Sequence, residues 1–153
     1  MLWDWLLFLH ADTRLGDGWQ ACIQTFMKNP ANNRKAGVFR FRLDDPAPAA
    51  RRVEALASWR TNQLGLPYGD QGLLISQTLY NSLGGFHPIP LMEDVNFVRR
   101  VGKKNLVVLN ADAITSATRY QRGGYWLRPL RNLFLLTLFL VGVPPHILAG
   151  MYD

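Results

Sequence analysis

Leu6-Leu7-Phe8-Leu9-His10-Ala11-Asp12-Thr13 runs four apolar residues into a histidine, an aspartate and a threonine. A short, unbroken apolar run bounded by polar residues reads as a strand buried on both faces, as in a parallel sheet. In open α/β sheets, ligands bind beyond the carboxyl ends of the strands. Asp12 lies just past such an end. A carboxylate there either holds a hard cation such as Mg²⁺ or Mn²⁺ or caps a turn beside Thr13. His10 is placed to add a nitrogen ligand or a hydrogen bond.

Beyond Asp12, helical and strand patterns alternate. Gly16 and Gly18 mark a turn, and Trp19 to Met27 carries Trp19, Ile23, Phe26 and Met27 on one helical face. Val38 to Leu43 interleaves Phe39, Phe41 and Leu43 with Arg40 and Arg42, the pattern of a strand with one wet face. Ala47 to Leu64 reads as a helix, with Pro48 tolerated in its first turn. Leu73 to Ile75 and Leu106 to Leu109 read as short strands, Gln77 to Leu83 as a short helix, and Met92 to Val101 as a helix opening on Glu93 and Asp94. Acidic residues suit that end of the helix dipole. Residues 125–153 are strongly apolar, and the uncharged core from Leu133 to Val143 is eleven residues long. A membrane-spanning helix needs about 20, so the segment reads as a buried helix or one lying in a membrane interface, with Trp126, Arg128 and Arg131 near its start.

The totals bound the answer. A chain of 153 residues suits one domain, and 48% apolar residues supply a sizeable core. The net charge of +6 fits an anionic partner or simply a basic solvated surface. The basic residues are dispersed and no nucleic-acid motif is present, which argues against a nucleic-acid binder. Cys22 is the only cysteine, so neither an internal disulfide nor a cysteine-rich metal site is available. A lone cysteine fits a reducing, cytoplasmic setting. The N-terminus lacks a basic n-region and makes a poor signal peptide.

Other residues carry chemistry of their own. Glu93-Asp94 follows a loop stiffened by Pro88 and Pro90, and offers a general base or a helix cap. Asp70 stands between Gly69 and Gly72, which either bring the backbone close to a ligand or make a turn. Arg119 and Arg122 are suited to bidentate phosphate contacts. His87 and His146 have no metal-ligand partner at useful spacing. A phosphatase built on an aspartate nucleophile is disfavoured, since "HADT" supplies one aspartate.

In their order, "LLFLHADT", "GDQG", "LGGF", "PLMEDV" and "TSATRYQRGG" resemble the later part of family 2-type glycosyltransferases. Within these they resemble the bacterial subgroup known as radical-SAM/selenodomain-associated transferase 2, linked to arsenosugar biosynthesis. The likeness covers nearly the whole chain. It implies an α/β fold, an incomplete GT-A (Rossmann-like) domain over residues 1–153, with an apolar C-terminal helical segment at 125–153. It further implies inverting transfer of a sugar from a nucleotide-sugar donor to an acceptor hydroxyl. Asp12 would hold the divalent cation, with His10 standing where the family has its first aspartate. Asp94, with Glu93 beside it, would be the base. His10, Asp70, Gln71 and Arg119 would contact donor or acceptor. In the family, the strand ending at the metal-site aspartate sits mid-domain. The resemblance therefore implies that the nucleotide-binding βα units are missing and that transfer by this chain alone is impaired. The alternative is a non-catalytic remnant that docks to the inner face of a membrane or to a protein partner.

Overall fold

The centre of the molecule is β3 (Ala36–Leu43), whose Ala36, Val38, Phe39, Phe41 and Leu43 are all buried while Arg40 reaches solvent. In the computed structural model, which describes residues 4–152, β3 sits in a five-stranded sheet of order β1-β4-β3-β5-β2. The outer bounds of the expected domain, residues 1 and 153, lie outside the described residues. β4 (Leu73–Ser76) lies antiparallel to β3, with Leu74 opposite Gly37. β5 (Leu106–Thr115) lies parallel to β3 on its other side. β1 (Trp5–Phe8) pairs antiparallel with β4, and β2 (Thr13–Leu15) pairs antiparallel with β5.

The sheet is therefore mixed, which corrects the expectation of a parallel one. β1, β3 and β5 run one way, β4 and β2 the other. β1 is also not buried on both faces. It is an edge strand with Leu7 exposed and its neighbours half-buried. Its apolar run has another cause: alternate residues serve different layers. Leu6 and Phe8 pack towards Val38 and Phe97, while Trp5 sets its ring edge-on to Phe26 at 5.7 Å between centroids.

Helices cover both faces. On one, α1 (Trp19–Lys28) lays Phe26 against Phe39, Leu74 and Leu109. On the other, Phe97 and Val101 of α4 (Glu93–Val101) meet Ala36, Val38, Leu73 and Ile75. Burying each such large side chain contributes roughly 1.5–3 kcal/mol. α2 (Pro48–Trp59) starts on its proline, packs Ala50, Val53 and Ala57 on Phe41 and Leu43, and runs into a π-helical turn at Arg60–Leu64. Glu54, on the inner side of α2, is buried and fully engaged: it accepts from the Leu43 N–H at 2.8 Å and pairs with Arg42 and Arg51 at 3.0 Å each. α3 (Gln77–Ser82) is capped by Ser76, whose hydroxyl accepts from the Leu79 N–H.

The C-terminal apolar segment is not one long helix. Gly142 and the Pro144-Pro145 pair divide it into α6 (Leu127–Leu140) and α7 (Pro145–Tyr152), preceded by the short α5 (Thr118–Gly123). Leu135, Leu136 and Leu148 pack on Val95, Val98, Met92 and Leu66. The opposite side of α6 leaves Leu127, Leu130 and Phe134 exposed, as is Val141 just after it. At 14 residues α6 is about 21 Å long, short of the hydrocarbon thickness of a bilayer. Among the described residues, no helix is long and apolar enough to cross a membrane.

Candidate functional site

The link between β1 and β2 is a tight turn. The Thr13 N–H donates to the His10 carbonyl at 3.1 Å, closing the turn around Ala11 and Asp12. It is anchored below by the buried Thr13 and Thr115 hydroxyls, 2.8 Å apart, and by the Ser116 N–H, which donates to the Asp12 carbonyl at 3.2 Å. Asp12 is thus in a turn and also at the mouth of a cavity; the two sequence readings of this residue coexist.

That cavity, of about 190 Å³, gathers residues far apart in the chain. His10 and Asp12 come from the turn, Asp70 from the 3-10 turn Gly69–Gln71, Glu93 and Asp94 from the start of α4, and Arg119 from α5. Asp94 is fixed by the backbone. Its Oδ2 accepts from the Gly69 N–H at 2.6 Å, and its Oδ1 from the Val95 N–H at 2.7 Å. A carboxylate has about four lone-pair sites, so Asp94 keeps capacity for a substrate hydroxyl. Met92, just ahead of this pair, is the one non-glycine among the described residues with positive φ, at 64°. Such a conformation costs of order 1–3 kcal/mol and collects at functional sites. Here it delivers Glu93 and Asp94 to the cavity while Met92 itself is held by Val95 and Leu135.

Gly69 has a steric reason to be glycine. A Cβ there would lie 2.5 Å from His10 Nε2, so the imidazole rests on the bare backbone. Asp70 is the electrostatic focus. Its Oδ1 is buried with no hydrogen-bond partner. Burial pushes its carboxyl up to about 6, Arg60 opposing and Asp94 and Asp12 adding to the rise. Arg60 is held by the Leu66 carbonyl at 2.7 Å and stacks its guanidinium 3.4 Å from the Tyr68 ring centre.

Two residues read from the sequence as candidates, Gln71 and Arg122, are not brought to this cavity. The buried amide of Gln71 donates to the Phe39 carbonyl at 3.1 Å and accepts from Thr61 at 2.9 Å and Arg60 at 3.3 Å, tying the 3-10 turn to β3. Several lining residues have no counterpart among the sequence-read candidates. Arg128 and Asn132, one helical turn apart on α6, face the cavity, and Arg128 donates to the Tyr152 hydroxyl at 3.2 Å. Their i, i+4 spacing inside an apolar helix was the available signal. Asn132 Oδ1 is also buried without a partner. Tyr120 and Tyr68 complete the wall. Burial pushes the Tyr120 hydroxyl up to about 12, and burial likewise raises Tyr68, so both stay hydrogen-bond donors at neutral pH.

Asp12, Asp70, Glu93 and Asp94 form an oxygen-rich set of the kind hard divalent cations take, and the unpartnered Asp70 Oδ1 suits such an ion. Among the described residues, no three acidic, histidine or cysteine side chains converge into a ready-made metal centre. A cation held here would take few protein ligands and would need other oxygens to complete its sphere, as Mg²⁺ commonly does. The chain matches no family model, no curated protein and no solved structure.

Proposed function

We propose that this cavity transfers a sugar from a nucleotide-sugar donor to an acceptor hydroxyl with inversion. The observation that carries the reading is convergence: six residues picked from separated motifs, His10, Asp12, Asp70, Glu93, Asp94 and Arg119, line one cavity. In this reading the acceptor hydroxyl donates to Asp94, which takes its proton as the oxygen attacks the anomeric carbon. The bond from that carbon to the diphosphate breaks on the opposite face, and the nucleoside diphosphate leaves with the electron pair. Gly69 and the Val95 N–H hold the Asp94 carboxylate still for that step. Arg119 and Arg128 supply positive charge towards the donor phosphates. Asp12 and Asp70 would hold a Mg²⁺ or Mn²⁺ ion, whose contribution is to neutralise charge on the departing diphosphate.

The experiment is calorimetric titration of UDP-sugars in the presence of Mn²⁺, on wild type, Asp12→Ala and Asp94→Asn. Binding, expected to be weak for this chain alone, should need the metal, be lost in Asp12→Ala and survive in Asp94→Asn, while what transfer the chain performs falls at least 100-fold in Asp94→Asn, the lower end for loss of a general base. Donor binding that is indifferent to both the metal and Asp12 would remove the reading.

A second reading is contact with an anionic membrane surface. The exposed apolar side of α6 supports it, together with Arg131 and the Arg52 guanidinium that lies 5.2 Å over the Trp126 ring. It is compatible with the first, because the opposite side of the same helix carries Arg128 and Asn132 into the cavity.

A further inference from the structure

A second cavity, of about 350 Å³, shares His10, Tyr68, Gly69, Glu93 and Asp94 with the first. Its remaining wall is apolar, made chiefly by Phe8, Leu9, Val38, Leu73, Phe86 and Val98. The wall is preformed rather than loose. The Phe86 ring meets Phe8 edge-on at 5.0 Å and Phe97 at 4.9 Å, and Tyr80 locks the loop by accepting from the Phe86 N–H at 3.1 Å. A space of this size, apolar with polar groups gathered at one end, has the build of a small-molecule site.

The polar end decides what fits. Glu93 and Asp94 repel a carboxylate- or phosphate-headed molecule, whereas a neutral hydroxyl can donate to Asp94. A fully hydroxylated ligand would leave its other hydroxyls unpaired against Phe8, Leu73 and Phe86, stripped of water with nothing in exchange. We infer that this cavity takes the apolar body of the acceptor, and that the acceptor is a neutral alcohol whose hydroxyl lies at Asp94 and whose hydrocarbon portion is enclosed by Phe8, Leu9, Leu73 and Phe86. The inference rests on the glycosyl-transfer reading and names its acceptor class.

The test uses 1-octanol and sodium octanoate as probes of the full chain, by methyl NMR, with no nucleotide present. Octanol is expected to shift the methyl signals of Leu9, Val38, Leu73 and Val98. Octanoate is expected to bind at least ten-fold more weakly, and Asp94→Asn to narrow that gap. Leu9 is 40% exposed, so the fold tolerates Leu9→Glu, which is expected to weaken octanol at least ten-fold. The inference is overturned by any of four results: no shifts up to the solubility of octanol, shifts confined to the outer side of α6, octanoate binding as well as octanol, or Leu9→Glu binding octanol like wild type. Transfer assays separate the two claims. Octanol bound in this cavity but never glycosylated from any nucleotide sugar removes the transfer reading and leaves the ligand class. Transfer to a hydrophilic acceptor without octanol binding removes the ligand class and leaves the transfer reading.

Discussion

Above about pH 6 the Asp70 carboxyl ionises inside the molecule, where burial, Asp94 and Asp12 all work against it and Arg60 works for it. The unfolded chain ionises the same group near its ordinary value of 3.8. Between these limits the folded chain binds more protons, so stability falls as pH rises from about 4 through 6 and levels off above. The full loss is about 3 kcal/mol by that linkage, before water or a cation reaches the group. Urea midpoints taken across this range are expected to decline for wild type and to decline less for Asp70→Asn. Gly69→Ala makes a different prediction. The backbone there needs no left-handed conformation, so stability should shift by less than about 1 kcal/mol, the ordinary range for a substitution the structure can absorb. The added methyl would still displace His10 and disturb the N–H that holds Asp94. The proposed sugar transfer is expected to drop at least ten-fold while the thermal midpoint barely moves; unchanged transfer would detach His10 from the proposed chemistry. At this scale the sequence was readable where a charged residue sat beside a glycine or at an element's end, as with Asp12, Asp70 and Asp94. Tyr68 and Tyr120 gave no such local sign, and Asn132 only its spacing from Arg128. Their place in the cavity is set by the tertiary structure, which brings residues of α5, of α6 and of the chain just before the 3-10 turn to one space.

Helices with a strong period announced themselves: α1, α2 and α4 lie within a residue or two of where the apolar spacing puts them, apart from the π-helical turn that finishes the second. β5 shows why strands were harder. Its apolar run ends at Leu109, yet the strand continues to Thr115, with Ala111, Ala113 and Thr115 buried in alternation. Small alanines with weak strand preference hid that half. Against β3 it advances four residues, Val108 to Asp112, where β3 advances two, Val38 to Arg40. This bulge breaks the register any pattern would have assumed. β2, three residues long, is too short to show a period at all. α6 carries a prediction of its own. Its two sides differ in kind, Arg128 and Asn132 towards the cavity, Leu130 and Phe134 towards solvent. Flotation with phosphatidylglycerol vesicles is expected to carry wild type upward. Phosphatidylcholine vesicles should carry less, and Leu130→Glu/Phe134→Glu should stay behind in both while keeping its helical circular dichroism. Wild type that ignores both vesicles would assign that side of α6 to something other than a bilayer.

On the scale of the whole molecule, the α/β class was legible from alternating helical and strand patterns, but the direction of the strands was not. Nothing local distinguishes "LLIS" laid antiparallel between β1 and β3 from the same residues laid parallel. That choice depends on where the chain must return, which Gly69–Gln71 and the following Gly72, at φ 66°, settle by turning it sharply into β4. One property of the resulting order reaches further. β1 and β2 are the two margins of the sheet, yet they are consecutive strands, joined only through Leu9, His10, Ala11 and Asp12. Margins of sheets are where thermal fraying begins. Here a tear at either margin pulls on the same four residues, so the mouth of the cavity opens whenever the sheet starts to come apart. Conversely, anything that clasps Asp12 rivets both margins at once, and the mass-action gain from such a ligand is shared by strands that never touch it.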